Sequence, residues 1–217
     1  MKAILVGATG ATGKDVLQLL LNDDFFNTIE IFVRKEPNVK HPKLVTHVID
    51  FSKPEQWQDL VQGDVLFSAL GTTLKAAGSK EKQWTTDYDY QYQFAKAAKN
   101  NDVPCYILVS AANANAKSGL FYVKMKGQLE EDVKALNFER TIIFQPPILI
   151  REDSDRNGEI LGVKILTFLN SIGILKSQKP LSTKDLARAM VNACKEKTLG
   201  ISISVFKGQN IRKLLRK

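Results

Sequence analysis

The stretch Gly7-Ala8-Thr9-Gly10-Ala11-Thr12-Gly13 decides the fold. It follows the apolar run Ala3-Ile4-Leu5-Val6 and precedes Val16, Leu17, Leu19, Leu20 and Leu21, which recur at helical spacing. Strand, glycine turn and helix, in that order, are the context in which a glycine-rich loop binds a dinucleotide. Each glycine answers a physical need. One lets the backbone reverse at the strand end without a Cβ clash, a second lets the main chain approach a pyrophosphate, and a third lets the helix lie close on the sheet. The helix then turns free N–H groups and the positive end of its dipole toward the phosphates. The spacing is G-x-x-G-x-x-G, distinct from the G-x-G-x-x-G of ordinary dehydrogenases.

Outward from this loop, residues 28–33 read as a second buried strand that ends at Arg34-Lys35. A unit selective for NAD places an acid about 20 residues past the glycines to hold the ribose 2′-hydroxyl. Two cations there favour the 2′-phosphate of NADP(H) over NAD(H). Strands follow at 44–49, leading to Asp50-Phe51, and at 65–70, leading to Gly71-Thr72-Thr73. Between them Pro54 opens a helix carrying Trp57, Leu60 and Val61. Residues 74–82 read as a loop, 83–99 as a long helix, 106–109 as a strand ending at Ser110, 119–136 as another long helix, and 140–144 as a sixth strand stopped by Pro146-Pro147. Six strands alternating with helices predict an α/β fold, a Rossmann-type doubly wound parallel sheet with right-handed crossovers.

Residues from about 148 onward are expected to add a small C-terminal substrate lobe to this single domain. The pieces are a charged loop at 152–158, an apolar helix at 160–175, a helix at 184–195 capped by Ser182-Thr183, a strand at 201–206 and a basic tail at 211–217. The apolar helix is expected to bury one face on the lobe and to line the substrate pocket with another. A second reading makes it a docking surface for a partner or a membrane.

Composition narrows the function classes. The 217 residues suit one domain with a sizeable core, and 44% apolar content is ordinary for a globular chain. Met1-Lys2 runs directly into the first strand, without a leader pattern, and no apolar run reaches the length of a membrane span. The two cysteines, Cys105 and Cys194, lie far apart, with Cys105 read as a buried free thiol; no metal site is expected. These features predict a cytoplasmic protein, monomeric or homodimeric. The net charge of +8 suits an anionic ligand; no nucleic acid partner is expected.

The reaction chemistry centres on Tyr122-Val123-Lys124-Met125-Lys126, which sets a tyrosine and a lysine four apart on one helical face. A phenol ordinarily titrates near pH 10, so acid–base work near neutrality calls for a shift of about three units, roughly 4 kcal/mol. Lys126, together with the positive ring of an oxidised nicotinamide, is expected to depress it. Ser110, at the carboxyl end of its strand, is placed to hold a substrate oxygen.

Together these residues resemble a short-chain dehydrogenase/reductase of the atypical or extended type. More narrowly, the chain is similar to the NAD(P)H-binding group that includes Tat-interacting-protein oxidoreductases and NmrA-like proteins. The resemblance implies roles for matching positions. Gly7, Thr9, Gly10, Ala11, Thr12 and Gly13 lie along the pyrophosphate, and Arg34 and Lys35 hold the 2′-phosphate. Asp50 and Phe51 flank the adenine, while Leu70, Gly71 and Thr72 pass under the ribose and nicotinamide. Pro146, Pro147 and Ile148 close around the carboxamide. Ser110, Tyr122 and Lys126 match the catalytic serine, tyrosine and lysine, the last two also contacting cofactor. Asp87 stands where many such enzymes carry a relay asparagine. The implied activity is NADP(H)-dependent reduction of a small carbonyl or related substrate. The alternatives are a cofactor sensor with little turnover and a nucleotide-sugar epimerase, whose substrate domain is usually larger.

Overall fold

The computed structural model describes residues 1–150, 180–196 and 202–216. Seven strands form one parallel sheet: β1 (Lys2–Val6), β2 (Thr28–Val33), β3 (Leu44–Val48), β4 (Val65–Ser68), β5 (Cys105–Val109), β6 (Arg140–Gln145) and β9 (Ser202–Lys207). Their order, β3-β2-β1-β4-β5-β6-β9, reverses direction beside β1, the switch point where doubly wound sheets bind ligands. A separate parallel pair joins β7 (Leu149–Ile150) to β8 (Leu181–Ser182).

Alternation along each strand sorts side chains into two cores. Ala3 and Leu5 of β1 face one layer with Ile29, Ile31, Phe67, Ile107 and Phe144, covered by α1 (Ala11–Leu21) and by α6 (Thr183–Lys195). Ile4 and Val6 face the other with Phe32, Leu66, Tyr106, Leu108 and Ile143, covered by α4 (Tyr90–Asn100) and α5 (Phe121–Ala135). In that second layer Trp57 stacks on Phe94 at 4.1 Å between ring centroids.

The structure departs from the sequence reading in several places. Ser202–Lys207 is no part of a separate lobe: it pairs with β6 in register from Arg140↔Ser202 to Gln145↔Lys207, giving the sheet its seventh strand. Helix α6, also expected in the lobe, packs against α1; the guanidinium of Arg140 donates to the carbonyls of Ala193 and Cys194 and holds its C-terminus. The tail becomes α7 (Gly208–Lys213) and a 3₁₀ turn, Leu214–Arg216. Residues 54–60 form two 3₁₀ turns in place of a helix, leaving Leu60 exposed. The supposed loop at 74–82 contains α2 (Leu74–Ala77) and the start of α3 (Lys80–Trp84), because Thr73 and Ser79 each accept a capping hydrogen bond, from the N–H of Ala76 and of Lys82. The expected helix at 160–175 and loop at 152–158 lie outside the described residues.

Helix α5 approaches the chain at Asn115 and Ala116 through Gly127. A Cβ there would stand 2.2 Å from the backbone of both, and Asn115 also donates its N–H to the carbonyl of Val123. Gly127→Ala is therefore expected to cost about 1–3 kcal/mol in chemical denaturation. Gly119→Ala, with nothing within 4 Å of its new methyl group, should unfold like the native protein. Equal stabilities for the two variants would show that the close approach is not needed.

Candidate functional site

The glycine turn between β1 and α1 is built as its sequence demands. Gly7 has φ +87°, and a Cβ on it would sit 2.5 Å from the backbone of Ala69. A Cβ on Gly13 would stand 1.9 Å from the Gly7 carbonyl oxygen, so only glycine lets α1 rest on the end of β1. Gly10 caps α1 with no side-chain hydrogen bond, and its first turn carries no acid. The helix N-terminus therefore keeps backbone N–H groups for an anion. Thr9 is exposed, Ala11 half-buried and Thr12 buried around that turn.

The other expected cofactor residues line the carboxyl ends of the strands. Arg34 and Lys35 are exposed just past β2. Asp50 is exposed past β3; hydrogen bonds from the hydroxyl and N–H of Ser52 hold its carboxyl below the usual range. Phe51 is buried, its ring packed on Tyr90 and Phe94. Leu70, Gly71 and Thr72 follow β4, while Pro146, Pro147 and Ile148 are buried between β6 and β7. The Ile148 carbonyl accepts from the N–H of Leu181.

Tyr122, Lys126 and Glu130 recur every fourth residue along α5 and share a face. Lys126 is 3% exposed, and its ammonium lies 3.9 Å from Oδ1 of Asp87, which is fully buried. Asp87 reaches that position on a π-helical turn, Thr85–Asp89, between α3 and α4. Gln91 locks the turn by donating to the Asp87 carbonyl while accepting from the Ser68 hydroxyl at the end of β4. The Thr72 N–H donates to Asp87 Oδ1 at 2.9 Å, tying the loop after β4 to the same carboxylate. Burial pushes Asp87 up, against the opposing pull of Lys126 and of Thr72; burial pushes Lys126 down, against Asp87 and Glu130.

Ser110 stands at the end of β5, its N–H bonded to the Phe144 carbonyl at 2.8 Å. Its hydroxyl donates to Oε1 of Glu130. Gln145, at the end of β6, donates to both oxygens of Glu130 at 2.9 Å. Ser110, Glu130 and Gln145 are all buried. Sequence reasoning passed over Glu130 and Gln145. The available signal was an acid four residues past Lys126 on an otherwise buried helical face.

The structure reverses one electrostatic expectation. Burial first, and then the charge of Asp87, holds the Tyr122 phenol above its ordinary range. The Lys126 ammonium lies against Asp87 at 3.9 Å. Tyr122 thus keeps its proton at neutral pH, the state a proton donor needs. Cys105 is buried as expected, with its thiol pushed up to about 11 by burial.

Comparison with known proteins bears on the family and the fold. Residues 7–197 match the family described as NAD(P)H-binding. Protein FMP52-1, mitochondrial, of Scheffersomyces stipitis is 36% identical over 203 residues, 90% of this chain and 89% of that one. Protein FMP52, mitochondrial, of Meyerozyma guilliermondii is 35% identical over 197 residues, 88% of this chain and 84% of that one. These names overturn the expectation of a cytoplasmic protein, which rested on cysteine usage and on the lack of a leader pattern or membrane span; among the described residues no helix is long and apolar enough to cross a membrane. Among solved structures, the fold is shared with the oxidoreductase ylbE of Lactococcus lactis (TM-score 0.66, 17% identity, 100% of this chain and 98% of that one). It is shared also with the enzyme WbmH of Bordetella bronchiseptica, solved with NAD+ (TM-score 0.71, 16% identity, 95% and 75%).

The buried Lys126–Asp87 pair supplies a stability test. Lys126→Met leaves a buried carboxylate without its cation, a loss expected to cost about 3–5 kcal/mol in urea unfolding. Adding Asp87→Asn to the same chain should recover much of that loss. Additive losses in the double variant would mean that the two side chains do not interact.

Proposed function

The chain belongs to the NAD(P)H-binding family, and from that premise we propose that it is an NADP(H)-dependent reductase of small carbonyl compounds. The observation that carries the proposal is the face of α5 on which a half-buried Tyr122 stands one turn from Lys126, itself buried and paired with Asp87. The residues present fit the cofactor. Helix α1 keeps an uncapped N-terminus on the glycine turn, and Oδ2 of Asp87 is buried without a hydrogen-bond partner.

In this reading Ala11 and Thr12 hold the pyrophosphate with main-chain N–H groups, while Gly10, its own N–H bonded to the Gly7 carbonyl, shapes the turn beneath it. Arg34 and Lys35 pair with the 2′-phosphate, and Leu70 to Thr72 support the nicotinamide end. Bound NADPH would supply the hydride, delivered to the carbonyl carbon. Tyr122 gives its proton to the carbonyl oxygen as negative charge develops there, and solvent later restores it. Lys126 stabilises the phenolate left behind and holds the nicotinamide ribose.

Cofactor selection is tested by titrating NADPH and NADH against the native protein and against the Arg34→Ala, Lys35→Ala double variant. A charge-assisted hydrogen bond contributes about 1.5–3 kcal/mol. The double variant should therefore lose NADPH affinity by at least tenfold and keep its NADH affinity. Tighter NADH binding in the native protein would refute the assignment. For the chemistry, Tyr122→Phe removes only a hydroxyl. It should bind NADPH normally and lose about a hundred- to ten-thousandfold in turnover of any carbonyl compound the native protein reduces. Turnover at the native rate would make the tyrosine structural.

A further inference from the structure

The carboxyl of Asp87 makes two contacts of different kinds through one oxygen. Its Oδ1 accepts from the Thr72 N–H at 2.9 Å, and a Cβ on Gly71 would come within 3.2 Å of the same atom. Gln83, four residues earlier, donates to the Thr72 carbonyl at 3.1 Å. Both main-chain groups of Thr72 are thus held from the segment that carries Asp87. That role needs only an oxygen, and an amide of the same shape would supply one. The second contact needs charge. The Lys126 ammonium lies 3.9 Å from Oδ1, beyond hydrogen-bond reach, so Coulomb attraction is what joins them. Both side chains are buried, and little solvent screens that attraction. Among the described residues, the other titratable groups on the cluster are Glu130 and Tyr122, both on α5.

Resting on the cofactor half of the reading above, we propose that Asp87 is a positioning residue with two separable actions: its oxygen fixes the loop after β4 at the nicotinamide end of the cofactor, and its charge keeps Lys126 cationic, so that the hold on NADPH is tied to pH. The sign follows from the contacts. Burial favours the neutral amine of Lys126, and the charges of Asp87 and Glu130 oppose it. With Asp87 ionised, Lys126 stays cationic to a higher pH, and its grip on the ribose weakens only as pH rises through that titration. Without the Asp87 charge the same weakening comes at lower pH. Burial pushes the Asp87 carboxyl up, so the comparison runs from neutral pH upward, where it is ionised.

NADPH is titrated by its fluorescence from neutral pH to about pH 10 against the native protein, Asp87→Asn, Asp87→Ala and the Lys126→Met, Asp87→Asn double variant. The native affinity should fall along an alkaline limb that the double variant lacks. In Asp87→Asn, which keeps the acceptor for Thr72, the limb should move toward neutrality by about one pH unit or more. Asp87→Ala should show the same shift and bind about threefold or more weakly than Asp87→Asn at every pH, because Thr72 also loses its acceptor. Glu130→Gln removes the other carboxylate near Lys126. It should move the limb in the same direction, and it decides the matter if the Asp87 variants do not fold. A limb that stays in place when these charges are removed, or that survives in the double variant, overturns the assignment and leaves the reductase reading standing. The expected shifts without reduction of any carbonyl compound overturn the reductase reading and leave this one standing. A native protein that binds no NADPH overturns both.

Discussion

An ammonium group taken out of water must be matched by negative charge, and the burial of Lys126 imposes that demand on half of the site. Asp87 answers it from the adjoining π-helical turn on the same side of the sheet, at 3.9 Å, and Glu130 adds its charge one turn further along α5. A lysine at this depth without them would shed its proton or destabilise the fold. The carboxylates in turn need donors. Thr72 supplies a backbone N–H to Asp87, while Gln145 and Ser110 supply side-chain donors to Glu130. One buried charge thereby joins the loop after β4, the π-helical turn, α5 and the carboxyl ends of β5 and β6. These are the elements on which a nicotinamide and its substrate would rest.

What the sequence disclosed and what it hid follow one physical division. The glycine turn was legible because its constraints are local: a positive φ at Gly7 and a contact between Gly13 and the Gly7 carbonyl, six residues apart. The parallel sheet was legible because strands buried on both faces read as continuous apolar runs. By contrast, β9 is an edge strand with Ile203 exposed, and nothing in its own residues tells which strand it joins. Helices α2 and α3 were missed although Thr73 and Ser79 are ordinary capping residues, since their short polar turns carry little apolar periodicity.

At the site, the tyrosine–lysine spacing and the serine at a strand end were readable. Their electrical state was not. The phenol's behaviour depends on the depth of Tyr122 and on the charge of Asp87, which arrives from 35 positions upstream on a different helix. Ser110, Glu130 and Gln145 lie on three different elements, so the bonds that both Ser110 and Gln145 donate to Glu130 exist only once α5 lies across β5 and β6. Spacing rules describe one element at a time, whereas a hydrogen-bond network belongs to the junction between elements.

The packing of α6 against α1 has a consequence for how the chain comes into being. Helix α1 bears the nucleotide loop and is made first, but Leu186, Ala187, Met190 and Cys194 of α6 share its core layer, and Lys195 pairs with Asp23 just beyond its end. During synthesis the loop emerges long before its cover. The part of α1 that α6 covers stays open to water until residues 183–195 have left the ribosome, and β6 keeps a bare edge until β9 is made. An early-made helix is thus finished by a later-made one. A nascent chain of this design has to be shielded from its neighbours for most of its translation.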